Sequence, residues 1–142
     1  MKKLIQTGQL EITQGGWSST DEACTNYEDL INNMYLGHSF LKKEFGVVPK
    51  IGWMIDAFGH SAANAAIFAE LGFDAVFMSR IDFPDREQRK REKAMTFLWR
   101  PFSNHFENFG NQRQILGGIM KHNYNFPDGF EVDERSDDDG PL

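Results

Sequence analysis

The sequence predicts an α/β fold with a mostly parallel sheet. Two observations carry that expectation. Short apolar runs alternate with longer stretches whose apolar residues recur at spacings of three and four. The runs Ile51 to Ile55 and Phe73 to Met78 are largely apolar, as buried strands are, and helical stretches separate them. Strand–helix–strand repeats of this kind imply right-handed crossovers between parallel neighbours. At 142 residues the chain holds at most one domain, long enough to bury a core.

Taken in order, Leu10–Thr13 alternates and reads as a short strand, ended by Gly15-Gly16-Trp17. Ser18–Glu22 reads as a helix start, with Ser19 and Glu22 spaced as a capping box. Ala23, Tyr27, Leu30, Ile31, Met34, Leu41 and Phe45 then form an amphipathic stripe, closed by Gly46 and Pro49. A buried strand follows to Ile55. It delivers Asp56 into a turn with Phe58 and Gly59, and Ser61 caps a helix over Ala62–Leu71. Phe73–Met78 is the next strand, Pro84–Lys93 a charged helix solvated on most faces, and Met95–Trp99 a further strand. Gln114–Met120 reads as a last strand, weakened by paired glycines in its middle. From Pro127 the chain turns acidic, and that tail reads as loop or disorder. There is no internal repeat.

Composition narrows the function classes. The net charge of −6 argues against a nucleic-acid partner, since that binding rests on basic surface. Thirteen Phe and three Trp are plentiful for this size; most such rings fill cores, but a share can stack on a sugar or base. The single cysteine, Cys24, excludes an internal disulfide and reads as a buried thiol in a helix. Met1-Lys-Lys-Leu-Ile runs at once into Gln, Thr and Gly, so no signal-peptide apolar region is expected, and no run approaches transmembrane length. No membrane partner is therefore expected.

In a mostly parallel sheet the ligand site lies at the carboxyl edge of the strands. Trp17 follows the first expected strand, Asp56 the second, Arg80 the third and Tyr124 the last. An aromatic platform, a carboxylate, a guanidinium and a phenol on one rim make a polar site with a stacking wall. Each has a plainer reading. Asp56 caps the helix or fixes the turn, which local pattern alone slightly favours; Trp17 lids the core; Arg80 pairs with Asp82 or Asp85; Tyr124 is a surface loop residue. Together on one edge they favour a site.

The same residues resemble a known family. Gly15-Gly-Trp17 with Asp21-Glu-Ala23, followed by Trp53-x-Ile-Asp-x-Phe-Gly-His-Ser61, is similar to the N-terminal domain of glycoside hydrolase family 38, the retaining α-mannosidases of lysosomal and Golgi type. The similarity continues through Gly72-Phe73, Arg80-Ile-Asp82, Phe97-Leu-Trp-Arg100 and Tyr124-Asn-Phe-Pro127, and Pro-Asp-Gly-Phe130 leans to the lysosomal branch. The resemblance implies that Asp56 is the catalytic nucleophile and a zinc ligand. It also implies that Phe58 lies near the sugar, that Arg80 lies beside the nucleophile, and that Tyr124 lines the pocket. Trp17 joins them as a substrate-binding candidate. The implied substrates are mannose-containing glycans, and the implied compartment of the complete enzyme is the lysosome or vacuole. His60, four residues past Asp56, reads as structural, hydrogen-bonding the turn rather than ligating metal. His38, His105 and His122 read as surface or loop histidines, His122 being a pocket candidate only through its nearness to Tyr124.

Two departures qualify the likeness. Ala57 stands where the family usually has proline, which leaves the turn freer without removing chemistry. More serious, the family's His-x-Asp zinc pair lies upstream of this chain, and its fourth ligand and acid/base aspartate lie downstream. Of the zinc ligands only Asp56 is present, and catalytic zinc needs about three protein ligands. The implied fold is an incomplete portion of a parallel-stranded α/β barrel over residues 1–130, followed by the acidic tail at 131–142. The expectation is a fragment that is inactive alone, prone to association at its open strand edges, and partnered by the rest of the mannosidase polypeptide. The alternatives are a non-catalytic carbohydrate- or partner-binding remnant and a metal-dependent carbohydrate esterase. The second is weakened by the lack of clustered histidines.

Overall fold

The computed structural model describes residues 1–102 and 114–121. It is a mixed α/β arrangement around an open four-stranded sheet. The elements are α1 (Lys2–Gln6), α2 (Tyr27–Phe45), β1 (Ile51–Met54), α3 (Ala62–Glu70), β2 (Ala75–Met78), α4 (Phe83–Glu92), β3 (Thr96–Trp99) and β4 (Ile115–Ile119). The strand order is β1-β2-β4-β3. β1, β2 and β4 are parallel, in the register Ile51–Ala75–Leu116 to Met54–Met78–Ile119. β3 runs antiparallel on the outer edge of β4. The expected parallel core is therefore present, and the expectation of a further parallel strand fails at β3.

The glycine pair that weakened the reading of β4 has a packing reason. A Cβ on Gly117 would lie 2.7 Å from the Phe97 ring, and one on Gly118 would lie 2.6 Å from the Phe77 ring. Phe97 is the β3 partner of Gly117, and Phe77 is the β2 partner of Gly118. Each ring lies across its neighbouring glycine, so these strand glycines mark a close approach rather than a break.

The core sits between the sheet and the inner faces of α2 and α3: Met34, Ala65, Phe68, Met54, Val76, Met78, Ile115 and Ile119, with Phe73 stacked on Phe68 at 4.9 Å. Phe68 is fully buried, which makes α3 the helix that anchors the sheet. α2 buries only Leu30, Met34 and Gly37, one stripe at helical spacing, and leaves Tyr27 and Ile31 exposed. It ends at Gly46, whose φ of 74° supplies the left-handed cap. α4 buries no residue, as its charge pattern predicts. It is held by the Asp82 cap and by Arg89–Asp85 and Lys90–Glu87 pairs. The Lys90 hydrogen bond lowers the Glu87 pKa. No helix among the described residues is long and apolar enough to cross a membrane.

The N-terminal part departs most from the pattern. Lys2–Gln6 is a short helix, which the sequence reading did not anticipate. Leu10–Thr13 is not a strand. The chain touches β1 at one residue, where the Gln14 N–H donates to the Ile51 carbonyl at 2.7 Å and the Trp53 N–H donates to Gln14 Oε1 at 2.7 Å. A side chain thus takes the place of the next ladder rung, and the left-handed angles of Gln14 (φ 58°) and Gly15 (φ 80°) turn the backbone away. Ser18–Glu22 does not start a helix either. Asp21 Oδ1 accepts from the Ala23 and Cys24 N–H groups at 2.8 and 3.3 Å, closing a separate turn, and α2 begins only after Asn26. Cys24 is exposed on that turn rather than buried in a helix. Tyr124, His105, His122 and the acidic tail lie outside the described residues.

Candidate active site

β1 ends at Met54, and the chain turns through Ile55 to Asp56 at the carboxyl end of the sheet. Gly59 completes the turn with a φ of 152° and no atom near its Cβ position, so backbone angle rather than space calls for glycine. Ser61 then caps α3, its hydroxyl accepting from the Ala63 and Asn64 N–H groups at 3.1 and 3.4 Å. The cap role is therefore filled by Ser61, and the Asp56 carboxylate goes elsewhere: Arg80 Nε donates to Asp56 Oδ1 at 2.5 Å. The pairing of Arg80 with Asp82 or Asp85 does not form, because Asp82 caps α4 and Asp85 binds Arg89. The Arg80 guanidinium also lies over the Phe58 ring, 5.4 Å from its centroid. Asp56, Phe58 and Arg80, separate in sequence, thus form one group, with Asp56 59% and Arg80 45% exposed.

Asp56 and Phe58 line a cleft of about 910 Å³ together with Trp17, Trp53 and Phe40. Trp17 does not lid the core. It is 64% exposed and meets Phe40 edge-on at 5.8 Å. Its position is set by α2. The Trp17 N–H donates to the Asn33 carbonyl at 3.0 Å, while the Asn33 amide accepts from the Ser18 N–H at 2.8 Å and donates to the Ser18 carbonyl at 3.0 Å. Gly37 lets the helix backbone touch this loop, since a Cβ there would lie 2.0 Å from the Gly15 carbonyl oxygen. His38 is likewise not a free surface histidine: Nε2 donates to the Gln14 carbonyl at 3.0 Å.

Both ring nitrogens of His60 face protein partners. Its Nε2 donates to the Arg80 carbonyl at 3.0 Å, and its Nδ1 lies 3.2 Å from Glu22 Oε1. Glu22 Oε2 in turn accepts from the Ser61 N–H at 2.5 Å. The carboxylate that the capping-box spacing assigned to its own helix start instead joins a turn 39 residues away. Among the described residues no three His, Cys, Asp or Glu side chains cluster so as to hold a metal. The donor set at Asp56 is one carboxylate paired with a cation, which does not fit a zinc centre by itself.

Sequence reasoning brought forward Asp56, Phe58, Arg80 and Trp17, and these share one cleft or touch its rim. It missed Gln14, Asn33 and Gly37, which set the Trp17 loop. Gly37 was the one visible signal, a glycine within a helical pattern. It also missed where the Glu22 carboxylate goes.

A sequence model of the Glycosyl hydrolases family 38 N-terminal domain matches residues 1–139. Among curated proteins the chain is similar to lysosomal alpha-mannosidase of Dictyostelium discoideum, 46% identical over 137 residues that are 96% of this chain and 13% of that protein. It is also similar to alpha-mannosidase of Canavalia ensiformis, at 44% over 94% of this chain and 13% of the relative, and to lysosomal alpha-mannosidase of Mus musculus, at 40% over 89% and 12%. The chain thus spans about 13% of the length of these relatives. Among solved structures an alpha-mannosidase from Enterococcus faecalis V583 superposes with a TM-score of 0.62, at 20% identity, over 87% of this chain and 13% of that one; this likeness speaks to the fold.

Proposed function

The chain belongs to glycosyl hydrolase family 38, within its N-terminal domain, and from that premise we propose that it is part of the catalytic domain of a lysosomal-type α-mannosidase. The proposed reaction is retaining hydrolysis of terminal α-linked mannose from glycans. The observation that carries the reading is the Asp56–Arg80–Phe58 group at the mouth of an aromatic-walled cleft.

In this reading Asp56 attacks the anomeric carbon and forms a glycosyl-enzyme. A second carboxylic acid about 5 Å away protonates the leaving oxygen and later activates water. The Arg80 bond fixes Oδ1 and keeps the carboxylate oriented, leaving Oδ2 to attack. Phe58 and Trp17, both largely exposed, supply apolar faces for the sugar ring, and Tyr124 completes the substrate-binding set. The second carboxylate, and the further ligands that would hold zinc together with Asp56, would come from the rest of the polypeptide, which is the proposed partner. Since the described residues alone do not fit zinc, no step here runs through it. By the same reasoning the sheet forms a portion of a larger parallel-stranded barrel, and the complete enzyme works in a lysosomal or vacuolar lumen. A carbohydrate-binding remnant is the second reading, favoured by the exposure of Trp17 and Phe58 at 64% and 77%.

The test is a graft. This chain replaces the matching stretch of the Dictyostelium lysosomal alpha-mannosidase, and turnover of an aryl α-mannoside is measured. The expected result is turnover by the graft, its loss on Asp56→Asn, and none from the isolated chain with added zinc. A graft that folds and binds mannosides but turns none over supports the remnant instead.

A further inference from the structure

Glu22 lies outside the four rim residues, yet its side chain is 3% exposed and the His60 side chain 12% exposed. Burying a carboxylate at this depth is costly unless its oxygens are matched. Oε2 accepts from the Ser61 N–H at 2.5 Å, and Oε1 lies 3.2 Å from His60 Nδ1, from which it accepts when that nitrogen also carries a proton. The other face of the ring is determined by chemistry. A carbonyl oxygen only accepts, so the 3.0 Å contact with the Arg80 carbonyl requires a proton on His60 Nε2. The ring is therefore held at both nitrogens and bridges two segments far apart in sequence. Arg80 stands two residues beyond the end of β2, past the last ladder bond of that strand, from the Met120 N–H to the Met78 carbonyl. From that anchored backbone its guanidinium reaches Asp56 and covers Phe58.

We propose that Glu22 and His60 are positioning residues for the nucleophile: Glu22 fixes the His60 ring, the ring holds the Arg80 backbone, and Arg80 thereby holds the Asp56 carboxylate. The inference rests on Asp56 being the nucleophile, as proposed above. It gives the Asp21-Glu22 pair and the motif histidine separate tasks. Asp21 closes its own turn, while Glu22 and His60 join that turn to the arginine beside the reacting carboxylate.

The experiment uses the same full-length graft, with a fluorinated mannosyl fluoride that traps the covalent intermediate. Trapping is measured as a rate per active site, alongside KM and the melting temperature. His60→Ala and Glu22→Ala are expected to slow trapping about 10–100-fold, as loss of an orienting partner does, with little change in KM. Glu22→Gln keeps an acceptor for the Ser61 N–H and places an amide N–H opposite His60 Nδ1, which accepts when the ring proton sits on Nε2, so the bridge is retained and trapping is expected to stay within about 10-fold of the unmutated graft. The double Ala variant is expected to be no slower than the slower single, since both act through one bond. If the Ala variants do not accumulate, His60→Phe, which keeps a ring but removes both nitrogens, is compared with Glu22→Gln, and trapping is expected to slow about 10–100-fold only in His60→Phe. Unchanged trapping per active site with only a lower melting temperature would overturn the positioning role. So would a double variant whose loss is the product of the singles. An unmutated graft that folds without turnover defeats the α-mannosidase reading itself, a separate outcome.

Discussion

Replacing Arg80 by methionine separates what the Asp56 pair contributes to stability from what it contributes to reactivity. At 2.5 Å the Coulomb attraction between unit charges in water is about 1.7 kcal/mol before any ordering cost. Both partners are more than a third exposed, so screening and side-chain entropy reduce this to about 0.2–1 kcal/mol. The guanidinium over Phe58 adds about 0.5–1 kcal/mol at an exposed site. Loss of both should therefore destabilise by no more than about 2 kcal/mol, a shift of a few degrees for a domain this size. Under the proposed function, with Asp56 as nucleophile, the effect on reaction should be larger. A nucleophile misplaced by about 1 Å loses on the order of 100-fold, or about 2.7 kcal/mol of barrier. In the graft, kcat on an aryl α-mannoside is expected to fall about 100-fold in Arg80→Met. Arg80→Lys should recover part of that, because it restores charge without the planar fork. Thermal unfolding and kcat are measured on the same preparation. A kcat within about threefold of the unmutated graft would refute the orienting role, as would a loss of activity that merely follows loss of fold.

Two further outcomes test the walls of the cleft. In Gly37→Ala the added methyl meets the Gly15 carbonyl, so the chain should lose about 1–3 kcal/mol in urea unfolding despite the roughly 0.8–1 kcal/mol that alanine gains in a helix; a more stable variant would show that α2 and the Trp17 loop are not in contact. Asp21 is held below the usual carboxylate range, chiefly by the Ala23 N–H, so its contribution is present above about pH 4 and is lost as pH falls through the lowered value. Asp21→Asn should therefore flatten the acid limb of a stability-against-pH curve, and an unchanged limb would assign it to other carboxylates.

The legible parts of this fold were those that apolar periodicity specifies. β1, β2, α3 with its Ser61 cap, and α4 with its solvated charges all follow from local pattern. The illegible parts are held by polar contacts between distant residues. Gln14 imitates a strand rung with its side chain, and Asp21 spends its carboxylate on a turn, so neither a strand at Leu10–Thr13 nor a helix at Ser18 forms. The direction of β3 was also out of reach. A run such as Thr96–Trp99 does not encode which way it lies against β4, and the feature that accommodates it, Phe97 over Gly117, is a cross-strand contact. At the candidate site, the motif and the strand order brought forward Asp56, Phe58 and Arg80, and the structure brings the three into contact. That Arg80 turns back to Asp56 rather than forward to Asp82 depends on where β1 and β2 end in register.

That register has a further consequence for how the group would work. β1 and β2 pair Met54 with Met78, so Asp56 and Arg80 each lie two residues beyond equivalent points of adjacent strands. Their side chains meet because the strands are parallel and in step. A one-residue slip would reverse which faces Met54 and Met78 present to the core and carry Arg80 off Asp56 together. Burial of those two methionines, at 4% and 3% exposure, therefore specifies the ion pair as well as the core. The pair itself remains wet, with Asp56 59% exposed. A carboxylate that attacks a sugar works best where water is excluded and fixed dipoles replace its hydration. Under the proposed function, the register of the parallel strands sets the bearing of the nucleophile.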